Sequence, residues 1–554
     1  MIDNDKRPYN ERFQTLITER ESFVAHYREL SEYIAPERGR FDDTKTNKGT
    51  RKDQSILDNK AGTSLGVLAS GLMSGLTSPA YPWFRFKLSD DALNDNADVR
   101  SWLYACQSRM QDVFARSNFY RALPTFYKEL GLFGTACMII DKSFENVINC
   151  HVLTAGTYCV ANDSEYRANV LYRKFSMTVS QLMEKKEQDG WDISPRIQQK
   201  HDMGKLDEWI DIIHVIEPND QRESGKIDKK NKKYRSLYFE EGKEAEGFLS
   251  VSGYDDCPFV CVRWETVGED VYGIDAPAMM ALGDVRQLQK MTLDKLEAIR
   301  KAVRPPLVGP ASLAGSKVDT SPDGITLADE SMAQGGLRPI YEMRLDLPSL
   351  MNDIALVKER IATVFYENLF MMLAQTDRRQ ITAREVAERH EEKLLMLGPV
   401  LVRLHDEFLS PAIERVFGIM FEGGLFDEAP EELAGRDINI EFVSLLAQAQ
   451  KAVAVSSIED MAMFTAQMAQ LDPSALDKLN IYAVIDARAD ALGVPPVFIR
   501  TDEEAAVIAQ ARAQQQQQQQ QMAQMAQMAS VAKDAGSAAD TRLPEMLRGI
   551  VGNA

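Results

Sequence analysis

Apolar residues recur at intervals of three and four over most of this chain, and gather into short β-rich runs in a middle portion. Phe13, Leu16, Ile17, Phe23, Tyr27 and Leu30 predict a helix over residues 8 to 35, broken by Pro36 and Gly39. Ile56 to Leu76 predicts a second, with Gly62, Gly66, Ser70 and Ser74 along one side, a stripe that lets another backbone approach closely. Thr77-Ser78-Pro79 ends it, and Pro82-Trp83-Phe84-Arg85-Phe86 predicts a buried strand or anchor. Val99 to Leu132 holds one or two helices. From Gly134 to Trp264 the pattern shortens to β-rich runs: Ala136 to Ile140, Val170 to Tyr172, Ile210 to Val215, Tyr238-Phe239 and Phe259 to Trp264. A helix over Val179 to Lys186 interrupts them, and the basic stretch Lys226 to Arg235 reads as a hairpin tip or loop, solvated or touching nucleic acid.

Between Asp275 and Gly424 the pattern describes a rod with a tip. Asp275 is a plausible N-cap and Pro277 sits in the first turn, where its missing N–H does no harm. Leu282, Val285, Leu288, Thr292, Leu296, Ile299 and Val303 then trace one helical face as far as Arg304-Pro305-Pro306. An insert over residues 304 to 346, rich in Pro and Gly, predicts a small loop-and-strand module. Pro348-Ser349 opens a second rod, whose Leu350, Ile354, Val357, Ile361, Val364 and Asn368 keep a near-heptad rhythm suited to packing beside the first rod or a neighbouring copy. The polar loop Ala374 to Ile381 follows, and Thr382-Ala383-Arg384-Glu385 reads as a capping box opening a third helix toward Phe421. Kinks are expected at Gly398-Pro399 and Ser410-Pro411.

After an acidic linker, Asp427 to Asp437, a strand at Ile438 to Phe442 precedes helices near 445 to 470, 475 to 492 and 502 to 533. The last runs into the glutamines of Gln514 to Gln521, whose Ala, Met and Arg neighbours favour helix, and a mobile tail is expected from Lys533 onward. The chain is long enough for several domains and no stretch of it is apolar enough to span a membrane; the N-terminus carries no apolar secretion segment. The fold class is therefore α+β, predominantly α.

Composition narrows the chemistry. A formal net charge of −19 excludes coating DNA through counterion release, and fits a surface past which DNA slides and plain solubility equally. Cys106, Cys137, Cys150, Cys159, Cys257 and Cys261 show neither disulfide-framework nor zinc spacing, and His390 and His405 are too far apart to share a metal. No phosphate-cradling Gly-x4-Gly-Lys-Ser/Thr, Gly-x-Ser-x-Gly or His-Glu-x-x-His occurs, and Glu391 and Glu392 read as a solvated face. The expectation is no enzyme and no cofactor.

Four strings carry a family resemblance. They are Tyr33-Ile34-Ala35-Pro36-Glu37-Arg38-Gly39-Arg40-Phe41; Leu57 to Gly62 and Leu68 to Pro79, closed by Trp83-Phe84; Thr382 to Arg389, continuing through Leu397-Gly398-Pro399-Val400 and Glu407-Phe408-Leu409-Ser410-Pro411; and Ile440 to Gln450. In this order the chain resembles the head-to-tail connectors, or portal proteins, of short-tailed bacteriophages; the glutamine-rich end lies outside the resemblance. It implies a wing over 1–270 with its β-rich part at 134–264, a first stem helix at 271–303, a clip at 304–346 and a second stem helix at 347–373. A tunnel loop at 374–381, a long wing helix at 382–424, a crown at 425–510 and a glutamine-rich helix or barrel with a tail at 511–554 follow.

The resemblance further implies a dodecameric ring at one capsid vertex, at the head–tail junction of the virion, made in the host cytoplasm. Its implied partners are further copies of the chain, the terminase large subunit in passing, a tail adaptor, major capsid and scaffold proteins, and double-stranded DNA in the channel, with no membrane. Gln375, Thr376, Asp377, Arg378, Arg379 and Gln380 are the implied channel-facing residues. Arg378 and Arg379 read either as phosphate contacts or as ion pairs to a neighbouring subunit. The competing reading is another homo-oligomeric virion structural or scaffold protein.

Overall fold

Helical and alternating periods separate in space in the computed structural model, which describes residues 5–41, 54–88, 96–223, 225, 228–242, 247–303, 307–308, 338–339, 346–375, 397–433, 436–444, 461–469, 472, 475, 478–492, 505–519 and 521–522. The chain forms two units, Met1–Ser89 with Ser101–Val453, and Asp90–Arg100 with Ala454–Ala554.

The larger unit opens with α1 (Arg7–Ile34), α2 (Lys60–Leu76), β1 (Phe84–Leu88), α3 (Ala97–Arg116) and α4 (Phe119–Phe133). The Val99 to Leu132 stretch is thus two helices, and α2 starts at Lys60 rather than Ile56 because 54–59 is turn and coil. Strands β2 (Thr135–Ser143) and β3 (Val147–Leu153) form a hairpin. Strands β4 (Tyr158–Asn162) and β5 (Ala168–Thr178), helices α5 (Val179–Asp189) and α6 (Pro195–Asp202), and strands β6 (Trp209–Pro218), β7 (Tyr234–Glu240), β8 (Ser250–Tyr254) and β9 (Phe259–Arg263) complete the β-rich portion.

Two antiparallel sheets result, β3-β2-β9 and β4-β5-β6-β7-β8. Alternation decides their faces. Tyr172, Ile213, Val215, Leu237 and Phe239 of the larger sheet pack against Phe13 and Leu16 of α1. Leu171 and Ile216, on the opposite face, meet Cys137, Ile139, Phe259 and Cys261 of the smaller sheet. The stretch 226–235 connects β6 to β7, with Lys232 and Lys233 paired to Asp255 and Asp256 and Tyr234-Arg235 already in the strand.

The main core lies between α2, α4 and the smaller sheet. Leu68, Leu72, Leu123, Phe126, Leu130, Phe133, Met138 and Ile140 are all fully buried there, each large apolar side chain contributing roughly 1.5–3 kcal/mol. Gly134 caps α4 at φ 69, in the left-handed region, and a side chain there would meet the Gly273 carbonyl oxygen at 2.7 Å. Trp83 and Phe84 join Phe114 and Phe119 in an aromatic cluster, with the Trp83 indole donating to the Tyr120 hydroxyl at 3.1 Å.

The chain continues with α7 (Pro277–Val303), the two-residue strands β10 (Leu307–Val308) and β11 (Arg338–Pro339), α8 (Leu347–Val364) and α9 (Glu367–Gln375). Where the described residues resume at 397 the chain is helical, passes through a π-helical turn, His405–Leu409, and ends as α10 (Ser410–Glu422). The expected kink at Ser410-Pro411 takes this form because proline has no N–H to donate back, and the wider turn directly before it absorbs the lost rung. Strand β12 (Ile438–Phe442) pairs antiparallel with β1 from Phe84↔Phe442 to Leu88↔Ile438. Arg85 clamps the ribbon through Glu441.

In the smaller unit, residues 461–469, Ile481–Leu492 and 505–519 are helical, so the helix enters the glutamine run. Met461, Phe464 and Met468 mark one exposed stripe there, and Ile481 and Ile485 another.

Candidate functional site

The two long helices and the base that holds them form the candidate site. α7 begins at Pro277, one residue later than Asp275 as cap requires; Asp275 sits at φ 53, and Ala276 supplies the first carbonyl, to Met280 N at 3.0 Å. Its 27 residues span about 40 Å. Val285 and Leu288 of α7 and Ile354, Val357 and Ile361 of α8 are buried in the common core, and Arg360 of α8 bonds Asp284 at 2.8 Å and Gln287 at 3.1 Å. Toward the insert that coverage stops. Thr292 is the last buried residue of α7, and Leu293, Leu296, Ile299 and Val303 are exposed, Val303 at 73%. Met351 and Leu356 of α8 are exposed as well. The apolar face read from the sequence is therefore half used within one subunit.

The other ends of the helices are anchored by α2 and the loop before it. Gln289 of α7 accepts from the Leu57 and Asp58 backbone amides and donates to the Asp58 carbonyl at 2.8 Å. The Asp58 carboxylate pairs with Lys358 of α8 at 2.6 Å. Lys60 and Ser64 of α2 both reach Glu367 at 2.6 Å. Burial pushes the Glu367 carboxyl upward, but the Lys60 ammonium and Ser64 hydroxyl outweigh it and hold it below its ordinary value. Arg286 of α7 pairs with Glu29 of α1. One short segment, 57–64, thus holds α7, α8 and α9 in register.

The second rod is not continuous, as its rhythm suggested. α8 stops at Val364, Tyr366 stands at φ 54, and Glu367 starts α9. A left-handed residue turns the chain, so that Phe365, Leu369 and Phe370 are all buried and the Phe370 ring lies over Gly71 of α2.

Two further locks join the family strings. Arg38 pairs with the buried Glu129 of α4 at 3.1 Å, and Glu129 also accepts from Thr154 and the Ala155 amide. Burial raises the Glu129 carboxyl against the opposing pull of Arg38. Glu407, inside the π turn, accepts from the Arg263 backbone amide at 2.9 Å and from its guanidinium at 2.7 Å, a charge-assisted clamp on the end of β9. His405 stacks on Phe442 of β12 with ring centroids 4.2 Å apart, and burial lowers its pKa to about 4.

Of the sequence-predicted channel residues, Gln375 is the last residue of α9; Thr376, Asp377, Arg378, Arg379 and Gln380 lie outside the described residues, as do the Thr382-Glu385 capping box and His390. The described residues instead carry a capping box at Thr178 and Gln181. Cys257 is a half-buried residue of the link between β8 and β9, its thiol pushed up to about 12 by burial, and Cys261 is a buried residue of β9. Among the described residues no three His, Cys, Asp or Glu side chains gather as a metal site, and no helix is long and apolar enough to cross a membrane. The anchoring set of Asp58, Gln289, Lys358 and Glu367 went unread, because each is a single polar residue on an otherwise ordinary helix or loop.

Comparison with known proteins places this arrangement. The chain is 44% identical over 505 residues to a probable portal protein of Bordetella phage BPP-1, covering 91% of this chain and 90% of that one. It is 38% identical over 515 residues to the portal protein of Salmonella phage epsilon15, covering 93% and 92%. Among solved structures, a chain from the neck of an empty gene transfer agent particle covers 72% of this chain and 86% of its own at 12% identity, with a TM-score of 0.34, too loose a superposition to bear on the fold. The family model for the bacteriophage head to tail connecting protein matches residues 6–499. Matched over most of its length, the chain belongs to the bacteriophage head to tail connecting protein family.

Proposed function

We propose that this chain is a portal subunit, one of a dodecameric ring at a single capsid vertex through which double-stranded DNA is packaged and later ejected. The observation that carries the ring is the uncovered apolar stripe Leu293, Leu296, Ile299 and Val303, with Met351 and Leu356 beside it. Such a stripe, on a helix whose anchors among the described residues lie toward its other end, is a surface for the next copy in a closed, heterologous ring. In this reading α7 and α8 form the stem, 304–346 the clip that docks the terminase large subunit in passing and then the tail adaptor, and 425–510 the crown. The wing meets capsid and scaffold proteins. Gln375, Thr376, Asp377, Arg378, Arg379 and Gln380 line the channel, the two arginines contacting phosphate as DNA passes. The subunit is structural, and a separate ATPase drives packaging.

Replacing Leu296 and Ile299 together with Asp tests the ring. Negative-stain images are expected to show rings with a central hole for the unaltered chain and monomers for the variant, with unchanged far-ultraviolet circular dichroism. Filaments or compact dimers from the unaltered chain favour the scaffold alternative. Deleting 310–340 is expected to leave rings intact and abolish motor and adaptor docking; loss of rings refutes the clip assignment. Arg378→Ala with Arg379→Ala should lower packaged DNA without altering the ring, whereas ring dissociation makes the pair an intersubunit contact.

A further inference from the structure

The hairpin joining β2 to β3 ends in an unusual turn. Ser143 and Val147 are the last paired residues, leaving Phe144, Glu145 and Asn146 as the tip. Val147, a β-branched residue, stands at φ 67, and the Ile148 amide donates to the Asn146 carbonyl at 2.7 Å across it. This is a γ-turn with positive central φ, the rarer and more strained form. The Asn146 amide, donating to Ser143 Oγ at 3.3 Å, holds the tip together. The strained turn presents Phe144, whose exposure of 111% means that it touches nothing else in its own subunit. Turn sites favour Gly, Asn, Asp and Ser, so local structure does not account for phenylalanine there.

The tip does not stand alone. Lys142 pairs with Glu422 at the end of α10, bringing the hairpin beside an aromatic ridge. Phe86, Phe417 and Phe426 pack ring on ring within it, and Phe421, stacked on Phe417 at 6.3 Å, and Leu425 are exposed at its end. The charges around it are mostly acidic. Residues 141–146 and 421–432 carry Asp141, Glu145, Glu422, Asp427, Glu428, Glu431 and Glu432 against the single cation Lys142. Arg109 of α3 neutralises Asp427 at 2.8 Å.

We propose that Phe144, with Phe421 and Leu425 exposed on the segment that Lys142 ties to its hairpin, is an aromatic knob for a protein other than this chain, one presenting an apolar socket rimmed by Lys or Arg. Charge selects that occupant: two copies of an acidic patch repel, and a chain of net charge −19 is a poor source of a basic socket. A preformed, strained turn keeps the ordering cost of the knob low, and a lone aromatic seated in a pocket is the residue type on which binding energy concentrates. The inference rests on the portal reading, since it needs a second protein in the same particle.

The test places p-benzoyl-phenylalanine at position 144 of the full chain in phage-producing cells, with the same group at exposed Met203 as a control. Irradiation at 144, and not at 203, is expected to crosslink one different polypeptide at a peptide flanked by Lys or Arg. Adding Glu145→Lys should cut that yield about tenfold. Crosslinks only to another copy of this chain, no crosslink at 144, or a yield indifferent to Glu145→Lys each overturn the proposal. Phe144→Ser should leave purified rings unchanged in negative stain; rings lost in this variant alone make Phe144 a self-contact and overturn the knob. Rings absent from the unaltered chain sink the portal reading instead.

Discussion

At the scale of single residues, polar groups at element junctions hold the fold, and their protonation should be visible. His405, stacked on Phe442, keeps a pKa of about 4 in the folded chain against an ordinary 6.5. Burial also lowers His214, which accepts from Arg173 Nε at 3.0 Å. A histidine depressed by folding binds fewer protons when folded than unfolded, so stability is full above the ordinary value and falls as pH drops from about 6.5 toward 4. The urea midpoint is therefore expected to decline over that window. His405→Phe, which keeps the stack, should remove part of the decline and leave the share due to His214, His26 and His151, all lowered by burial. Glu407→Ala should cost about 3 kcal/mol, because Arg263 is left buried without its carboxylate; a shift in denaturant midpoint at constant slope measures it. The sequence marked Glu407 only as part of a family string. Its partner is 144 positions away, and nothing in the local pattern of either residue announces the other.

Elements were more legible than their joints. The helical periods of α1, α7 and α8 and the alternation of the middle strands follow from burial on one face, which the order of apolar residues encodes directly. Departures came where one residue's backbone overrides a period. Tyr366 divides a rod whose apolar rhythm runs on unbroken, and the π turn before Pro411 replaces a simple kink. The small-residue side read on α2, Gly62, Gly66, Ser70 and Ser74, stays half-buried or exposed, and the close approach falls instead at Gly71, where a Cβ would lie 2.1 Å from the Phe370 ring. Gly71→Ala is thus expected to destabilise by about 1–3 kcal/mol through overpacking between α2 and α9, whereas Gly66→Ala, with open space at its Cβ, should be neutral or stabilising. Thermal melts of the two variants decide between close approach at one position and a requirement for small residues along the whole stripe.

For the whole molecule, charge and chain order matter more than any single pair. In the proposed ring, subunits of net charge −19 have to approach one another, so assembly should accelerate as ionic strength rises from about 0.01 to 0.15 M and the screening length falls from ~30 to ~8 Å. Light scattering follows this directly; slower assembly at higher salt would mean that opposite charges across the interface dominate. Composition made that much readable, along with the fold class, while the pairing of β1 with β12 could not be read, since each is a short apolar run with no register signal of its own. That ribbon also sets a timetable. Phe84, fully buried in the finished chain, waits for Phe442 to be synthesised; at ~5–20 residues per second the delay is roughly 20–70 s. Throughout it the aromatic cluster around Trp83 has one open flank on a nascent chain. Folding of this subunit is consequently a late event in its translation, with a long window in which a holdase chaperone competes with aggregation for the same exposed rings.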